Sequence, residues 1–220
     1  MKNELIVIIP ARRNSKGFPF KNRRLIEFSA SAARGVVDEG KIYITTDDEE
    51  IMKRYENESS RINVINRPQE LGEDNTSMKD VLLHAIAQIK PSDDTLIVVL
   101  YPTYPERESV DIQLAISFFK KNKAKSLLCR KQHVGIHPFL LMFPTDNYGG
   151  KQIVNHNLYR RQDYPPVFEI SHFMIIMRVS ELEHLNLNLY NQDTVFYAID
   201  NVVDVDAESD YDSLINNMFS

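Results

Sequence analysis

The stretch Leu5 to Asn22, LIVIIPARRNSKGFPFKN, sets the frame for the whole chain. Leu5 to Ile9 is an unbroken apolar run, the pattern of a strand buried on both faces of a parallel sheet. Pro10 has no N–H to donate and is expected to end the ladder. The loop beyond it is crowded with cations, Arg12, Arg13, Lys16 and Lys21, with Arg23 and Arg24 close behind. Ser15, Gly17 and Asn22 add a hydroxyl, bare backbone and an amide. A buried strand that delivers such a loop to its C-terminal end suggests a phosphate site at the edge of an α/β sheet. A solvated basic loop after a first strand fits the same composition.

Downstream, β and α patterns alternate. Phe28 to Val37 is small and Ala-rich and predicts a short helix, ended by Gly40. Lys41 to Thr46 predicts a second strand, with Asp47 as N-cap of a helix over Glu49 to Glu56. Arg61 to Ile65 reads as a third strand. Thr76 or Ser77 then caps a helix from Met78 to Ile89, whose apolar residues fall on one face. TLIVVL, Thr95 to Leu100, is apolar enough for a central strand. A helix from Val110 to Lys121 and a strand from Ala124 to Arg130 follow. The alternation predicts a doubly wound α/β fold with a mostly parallel sheet, in a single domain spanning 1–220.

From Lys131 to Pro166 the pattern changes. Four prolines, the Gly149-Gly150 pair and scattered aromatics break any period. A long irregular excursion in a compact domain is usually functional. Exposed Phe139, Leu140, Leu141, Met142 and Phe143 are better buried in an interface than left in water. A strand follows over Phe168 to Arg178. Two short strands, Phe196 to Ile199 and Asn201 to Val205, lead to VDVDAESDYDSLI. Asp204 and Asp206 are two apart, so on an extended segment both carboxylates face one side. Two hard oxygen donors, completed by water and phosphate, suit Mg²⁺ or Mn²⁺; a polar strand end is the other reading of a lone DxD. Asp210 falls in the first turn of a closing helix, where its charge favours the positive end of the dipole.

Bulk composition narrows the function classes. At 43% hydrophobic and 26% charged the chain is an ordinary globular one. A net charge of −5 argues against general nucleic-acid binding, because the basic loop is local. The single cysteine, Cys129, cannot form an internal disulfide, and no signal-peptide layout or membrane-length apolar run is present. A soluble, cytoplasmic protein is expected. GxxxxGK[ST] and GxGxxG are absent, which disfavours P-loop NTPases and Rossmann dehydrogenases. The histidines show no metal-ligand spacing.

Taken in order, the motifs resemble those of the CMP-sialic acid synthetase family, the acylneuraminate cytidylyltransferases and their relatives. PARRNSKGFPFKN is similar to the family's opening PARxGSKGxPxKN, and departs from it at Arg13 and Asn14, where glycines are usual. In the family this loop wraps the triphosphate of CTP. The resemblance therefore implies CTP contacts from Arg12, Ser15, Lys16, Lys21 and Asn22, with Arg12, Lys16 and Lys21 stabilising the leaving pyrophosphate. ITTDDEEI fits the family's STDxEEI. NRPQELGEDNTS resembles RPxELAxDxxS, matching at Arg67, Pro68, Glu70, Leu71, Asp74 and Ser77. The equivalent arginine contacts cytosine, so Arg67 and Ser77 join the CTP set.

Three further segments bear on the sugar. YPTYPER stands where the family has QPTSPLR, with Pro102, Thr103, Pro105 and Arg107 matching. Tyr101 replaces a glutamine that reaches the sugar, implying a changed or lost contact; a tyrosine packed at a strand end fits as well. RRQDYPPVF resembles RRQDxPxxY and makes Arg160, Arg161 and Gln162 candidates for the sugar carboxylate, against a solvated basic patch. Ser171-His172-Phe173 stands where NGxxY is usual, so His172 is either a new polar contact or a structural histidine. VDVDAESDYD resembles DIDxxxDF, whose aspartates hold the metal.

The resemblance implies a Rossmann-like nucleotidyltransferase with a dimerisation arm over 131–166, acting as a homodimer. The implied substrates are CTP and a nonulosonic acid of sialic, legionaminic or pseudaminic type. Thr103, Tyr101 and His172 would line the sugar side. The departures cluster in that half, so a different sugar acid such as Kdo is an alternative acceptor. A non-catalytic nucleotide-binding relic is the other, favoured by the two missing glycines.

Overall fold

The computed structural model describes residues 4–56, 60–200 and 202–218. Strand β1 (Leu5–Ala11) leads through the basic loop into helix α1 (Lys21–Arg34). Next come β2 (Ile42–Thr46), α2 (Glu49–Tyr55) and β3 (Asn63–Asn66). Then follow α3 (Met78–Ile89), β4 (Leu96–Val99), α4 (Ser109–Lys121) and β5 (Ser126–Gln132). The excursion carries the short strands β6 (Met142–Pro144) and β7 (Gly150–Gln152). The chain closes with β8 (Phe168–Arg178), β9 (Val195–Ala198) and α5 (Glu208–Met218).

Seven strands form one sheet in the order β3-β2-β1-β4-β8-β5-β9. Neighbouring pairs are parallel except at β8, which runs antiparallel to both β4 and β5. The strand order reverses beside β1, so the β1 loop and the turn after β4 open on the same carboxyl edge, where α/β sheets place ligands.

Side-chain alternation on β1 builds both layers. Val7, Ile9 and Ala11 face one core with Ile26, Ala30 and Ala33 of α1 and Ile112, Ala115 and Phe119 of α4. Ile6 and Ile8 face the other with Leu82, Ala85, Leu182 and Leu185. Each large aliphatic side chain removed from water this way contributes roughly 1.5–3 kcal/mol. Gly35 lets α1 end against the start of α4, since a Cβ there would lie 2.5 Å from that of Ser109.

Several elements differ from the sequence reading. Pro10 ends the ladder on one side only: pairing with β4 stops at Ile8↔Val99, while pairing with β2 continues through Pro10↔Thr45 and Ala11↔Thr46. The first helix starts at Lys21, not Phe28, and ends at Arg34. Phe20, at φ 56°, turns the loop directly into it. Asp48, not Asp47, caps α2, its carboxylate accepting from the Glu50 and Ile51 N–H groups. Asp47 instead accepts the Arg13 N–H at 2.7 Å. The last expected strand forms no ladder: Val202 to Asp206 lies outside the sheet, and Asn201 lies outside the described residues.

The excursion expected from Lys131 begins later, because Lys131 and Gln132 still pair with Glu169 and Phe168 of β8; residues 133–166 leave the sheet, and β6 and β7 pair only with each other. Leu140, Leu141, Met142 and Phe143 are exposed there. Phe139 departs from the expected exposed run and is half-buried, stacking on His156 with ring centroids 4.2 Å apart, with His137 and Tyr164 around it. Among the described residues no helix is long and apolar enough to cross a membrane.

Candidate active site

Three segments far apart in sequence meet at the carboxyl edge. The closing segment Asp204–Asp206 is the wedge between the other two. On one side the Val205 N–H donates to the Thr103 carbonyl at 2.9 Å, tying the segment to the turn after β4. On the other, Lys21 Nζ donates to the Val205 carbonyl at 2.9 Å and to Asp206 Oδ1 at 2.8 Å. Val205 points away into a small core with Phe18 and Leu25, which leaves Asp204 and Asp206 facing the cleft. Gly17 completes the wedge: a Cβ there would sit 2.9 Å from the Asp206 carbonyl oxygen, and backbone on both sides leaves no room to yield.

The resulting cavity of about 270 Å³ is lined by Arg12, Ser15, Lys21, Asn22 and Arg67 from the expected nucleotide set. Tyr101, Thr103 and His172 from the expected sugar set line it too, with Asp204 and Asp206. Met78 and Tyr104 join them without having been singled out. A larger hollow of about 780 Å³, lined by Arg13, Asp47, Arg67 and Asp74, adjoins it on the β2–β3 side. Lys16 and Ser77 lie off the smaller cavity. Lys16 is exposed and paired with Asp74 at 2.7 Å. Ser77 is the N-cap of α3, accepting the Asp80 N–H at 3.1 Å. Arg160, Arg161 and Gln162 are exposed on the arm and do not line the cavity of their own chain; Arg160 makes a two-pronged ion pair with Asp163.

The loop backbone is held by side chains, not by glycine. Asn22 donates to the Arg12 carbonyl at 2.8 Å, and neither Arg13 nor Asn14 has a positive φ. The two non-glycine positions therefore impose no left-handed strain. Arg12 and Lys16 converge on one carboxylate, Asp74, each at 2.7 Å, and the two cations hold its pKa below the usual value. Arg67 is buried and donates to the Thr45 carbonyl at 2.6 Å. Burial pushes its pKa down to about 10, so it stays charged at neutral pH. Its Nε has no partner among the described residues, leaving a buried donor for which a planar acceptor in the cleft would supply the missing bond.

The opposite wall is aromatic. Tyr101 and His172 pack ring against ring at 5.4 Å. Burial lowers the His172 pKa from its ordinary value, with the Asp204 charge acting against it. Arg107 fixes this wall from behind, donating to the Phe173 carbonyl, to Ser29 Oγ at 2.6 Å and to the Tyr101 carbonyl at 3.0 Å. Tyr104 donates its hydroxyl to Asp204 Oδ2 at 2.7 Å. Sequence reasoning passed over Tyr104, although its departure from the family's serine was a signal.

Asp204 and Asp206 each spend one carboxylate oxygen on a protein donor, Tyr104 and Lys21. The other oxygen of each has no partner among the described residues. No group of three or more His, Cys, Asp or Glu side chains suited to a metal occurs among them. A two-carboxylate set fits a hard divalent ion that takes its remaining ligands from water and phosphate, and does not fit a closed structural site.

A doubly wound α/β sheet whose first loop, first helix and closing carboxylates share one cleft defines the nucleotidyltransferase class of fold. The profile of the Cytidylyltransferase family matches residues 6–202, and the chain belongs to that family. It is similar to the N-acylneuraminate cytidylyltransferase of Streptococcus agalactiae serotype V, at 27% identity over 97% of this chain and 53% of the relative. That of Escherichia coli O18:K1:H7 is 31% identical over 54% of this chain and 29% of the relative. The chain thus spans about half the length of the curated relatives it matches. Among solved structures, a CMP:2-keto-3-deoxy-manno-octonic acid synthetase complexed with CTP superposes at TM-score 0.65, with 11% identity and 99% of both chains covered. The 4-diphosphocytidyl-2C-methyl-D-erythritol synthase of Anaerococcus prevotii gives 0.60, at 12% identity over 99% of both chains. At these identities the superpositions speak to the fold.

Proposed function

We propose that the chain is a cytidylyltransferase that joins CTP to a nonulosonic acid of sialic, legionaminic or pseudaminic type, giving the CMP-sugar and pyrophosphate. The observation that carries this reading is the convergence of Arg12, Lys21, Asp204 and Asp206 on one cleft beside a buried, under-bonded Arg67. The similarity to acylneuraminate cytidylyltransferases along 97% of the chain supports the acceptor class.

In this reading Arg67 faces the cytosine edge, and Ser15 and Asn22 order the phosphate loop. The anomeric hydroxyl of the acceptor attacks the α-phosphorus and gives up its proton to water; a new P–O bond forms as the bond from the α-phosphorus to the oxygen bridging the β-phosphate breaks. Arg12, Lys16 and Lys21 neutralise the charge that builds on the departing pyrophosphate. Arg12 and Lys16 exchange Asp74 for phosphate as they do so. Asp204 and Asp206 would hold Mg²⁺ or Mn²⁺, which when bound offsets phosphate charge and acidifies an adjacent hydroxyl. Tyr101, Thr103 and His172 bound the acceptor side. Arg160, Arg161 and Gln162 would meet an acceptor carboxylate only from the arm of a second subunit. The exposed Leu140 to Phe143 run on the arm supports a homodimer. The lone cysteine, buried and free, fits a reducing cytoplasm.

Kdo as acceptor is the second reading, favoured by the aromatic wall at Tyr101 and His172 in place of the family's glutamine, asparagine and glycine. The relic reading loses its main support, because Arg13 and Asn14 sit without left-handed strain. The test is pyrophosphate release from CTP with Mg²⁺ against a panel of nonulosonic acids and Kdo, with EDTA as control. Release with one acid and loss on Asp206→Asn are expected. Silence across the panel with no CTP binding would overturn the proposal.

A further inference from the structure

We infer that Tyr104 is a positioning residue for the divalent-cation site, acting through Asp204; the inference rests on the assignment of Asp204 and Asp206 proposed above. The two carboxylates are restrained differently. Asp206 is held by Lys21 at 2.8 Å, and the backbone between them is pinned at both the Val205 N–H and the Val205 carbonyl. Asp204 has one side-chain restraint among the described residues, the Tyr104 hydroxyl at 2.7 Å on Oδ2. Without it an exposed aspartate is free to turn about its side-chain torsions, and a two-carboxylate site tolerates little of that.

Tyr104 is built for the task. Its side chain is only 5% exposed, and its ring meets Phe173 edge-on, at 5.7 Å between centroids and 82° between planes. Its carbonyl accepts the Arg107 N–H at 3.3 Å, closing the turn after β4. Packing thus fixes the ring, and the ring fixes the hydroxyl. With one Asp204 oxygen taken by a neutral donor, the other is presented to the cleft beside Asp206. A serine at this position could not span the distance the phenol ring covers. Partners that orient a ligand in this way are worth about 10- to 100-fold in metal affinity.

The experiment titrates Mn²⁺ into the full chain at a fixed saturating CTP concentration and follows water-proton relaxation, which reports protein-bound ion. Wild type is compared with Tyr104→Phe, Asp204→Asn and the double variant. CTP affinity without metal and the thermal midpoint are measured for each. Tyr104→Phe is expected to weaken Mn²⁺ about tenfold while leaving metal-free CTP affinity within about twofold. In the Asp204→Asn background the same change should do nothing more. Unchanged Mn²⁺ affinity in Tyr104→Phe would overturn the inference, as would an equal loss with and without Asp204. A wild type that binds no Mn²⁺ with CTP present would instead sink the carboxylate assignment, and this inference with it.

Discussion

Replacing Lys21 by methionine separates its bonds to the closing segment from its proposed contact with phosphate. The stem stays and the ammonium goes. In the folded chain that ammonium donates to the Val205 carbonyl and to Asp206, from a side chain 11% exposed. The two bonds are unequal. Asp206 is 79% exposed, so water replaces its lost partner and the pair contributes about 0–1 kcal/mol. The Val205 carbonyl lies deeper, and stripping a part-buried acceptor of its donor costs about 1–3 kcal/mol. Together a loss of roughly 1–4 kcal/mol is expected, which in a domain of this size lowers the thermal midpoint by about 2–16 °C.

The effect on CTP is separate from the effect on the fold. A charge-assisted hydrogen bond to phosphate is worth about 1.5–3 kcal/mol, so calorimetry should show CTP affinity falling about ten- to one-hundred-fold. Lys21→Arg keeps the charge and should recover much of the affinity, though its planar fork fits the Val205 carbonyl less well. A lowered midpoint with CTP affinity unchanged within about twofold would refute the phosphate role and leave Lys21 a strut of the closing segment.

Three further outcomes follow from the geometry. Gly17→Ala forces a methyl to 2.9 Å from the Asp206 carbonyl; overpacking of this kind costs about 1–3 kcal/mol. A falling midpoint and weaker CTP binding are expected, and no change in either would mean the loop is not seated on the closing segment. Asp74→Asn removes the carboxylate that Arg12 and Lys16 share, both pairs partly exposed. Stability should barely move, and CTP should bind several-fold tighter at low salt; weaker binding would show that Asp74 shapes the loop instead of competing with phosphate. His133 donates to Glu169 at 2.6 Å and contacts the Ile136 carbonyl at 3.1 Å, while Lys131 pairs with the other Glu169 oxygen. The Glu169 bond raises the His133 pKa, so this contribution is full below the unfolded value of about 6.5 and is lost as pH rises through the folded one. An NMR titration should place His133 above 6.5 and Glu169→Gln should bring it down; a wild-type midpoint at or below 6.5 contradicts the pair.

What the sequence disclosed and what it hid divide along a physical line. β1 and its loop were legible because an apolar run and a cation cluster are local patterns. The direction of β8 was not, since a strand buried on both faces reads the same either way. Asp47 and Asp48 are adjacent carboxylates of equal capping strength; their distant partners, the Arg13 N–H on Asp47 and Arg23 on Asp48, are invisible to local pattern. The start of α1 was masked by Lys21, Asn22, Arg23 and Arg24, whose polar run hides a helix that first buries apolar residues at Leu25 and Ile26. Tyr104 meets its partner 100 residues later, beyond the reach of any spacing rule.

The two halves of the cleft are held by different forces, and this bears on which half can change. Around the phosphate loop the restraints are ion pairs with solvent access, Arg12 and Lys16 on Asp74 and Lys21 on Asp206, each cheap to exchange for another anion. Under the proposed function, that half trades carboxylate for triphosphate. The wall proposed to face the acceptor has no such exchangeable pairs among the described residues. Tyr101 and His172 are packed on each other, and Arg107 bonds the carbonyls of Tyr101 and Phe173 from a buried position. Under the proposed function, a wall built of rings over a buried guanidinium would select by shape. Substitutions at Tyr101 or His172 should therefore move acceptor choice and leave CTP binding alone, whereas a change at Arg107 disturbs both flanks of the wall at once.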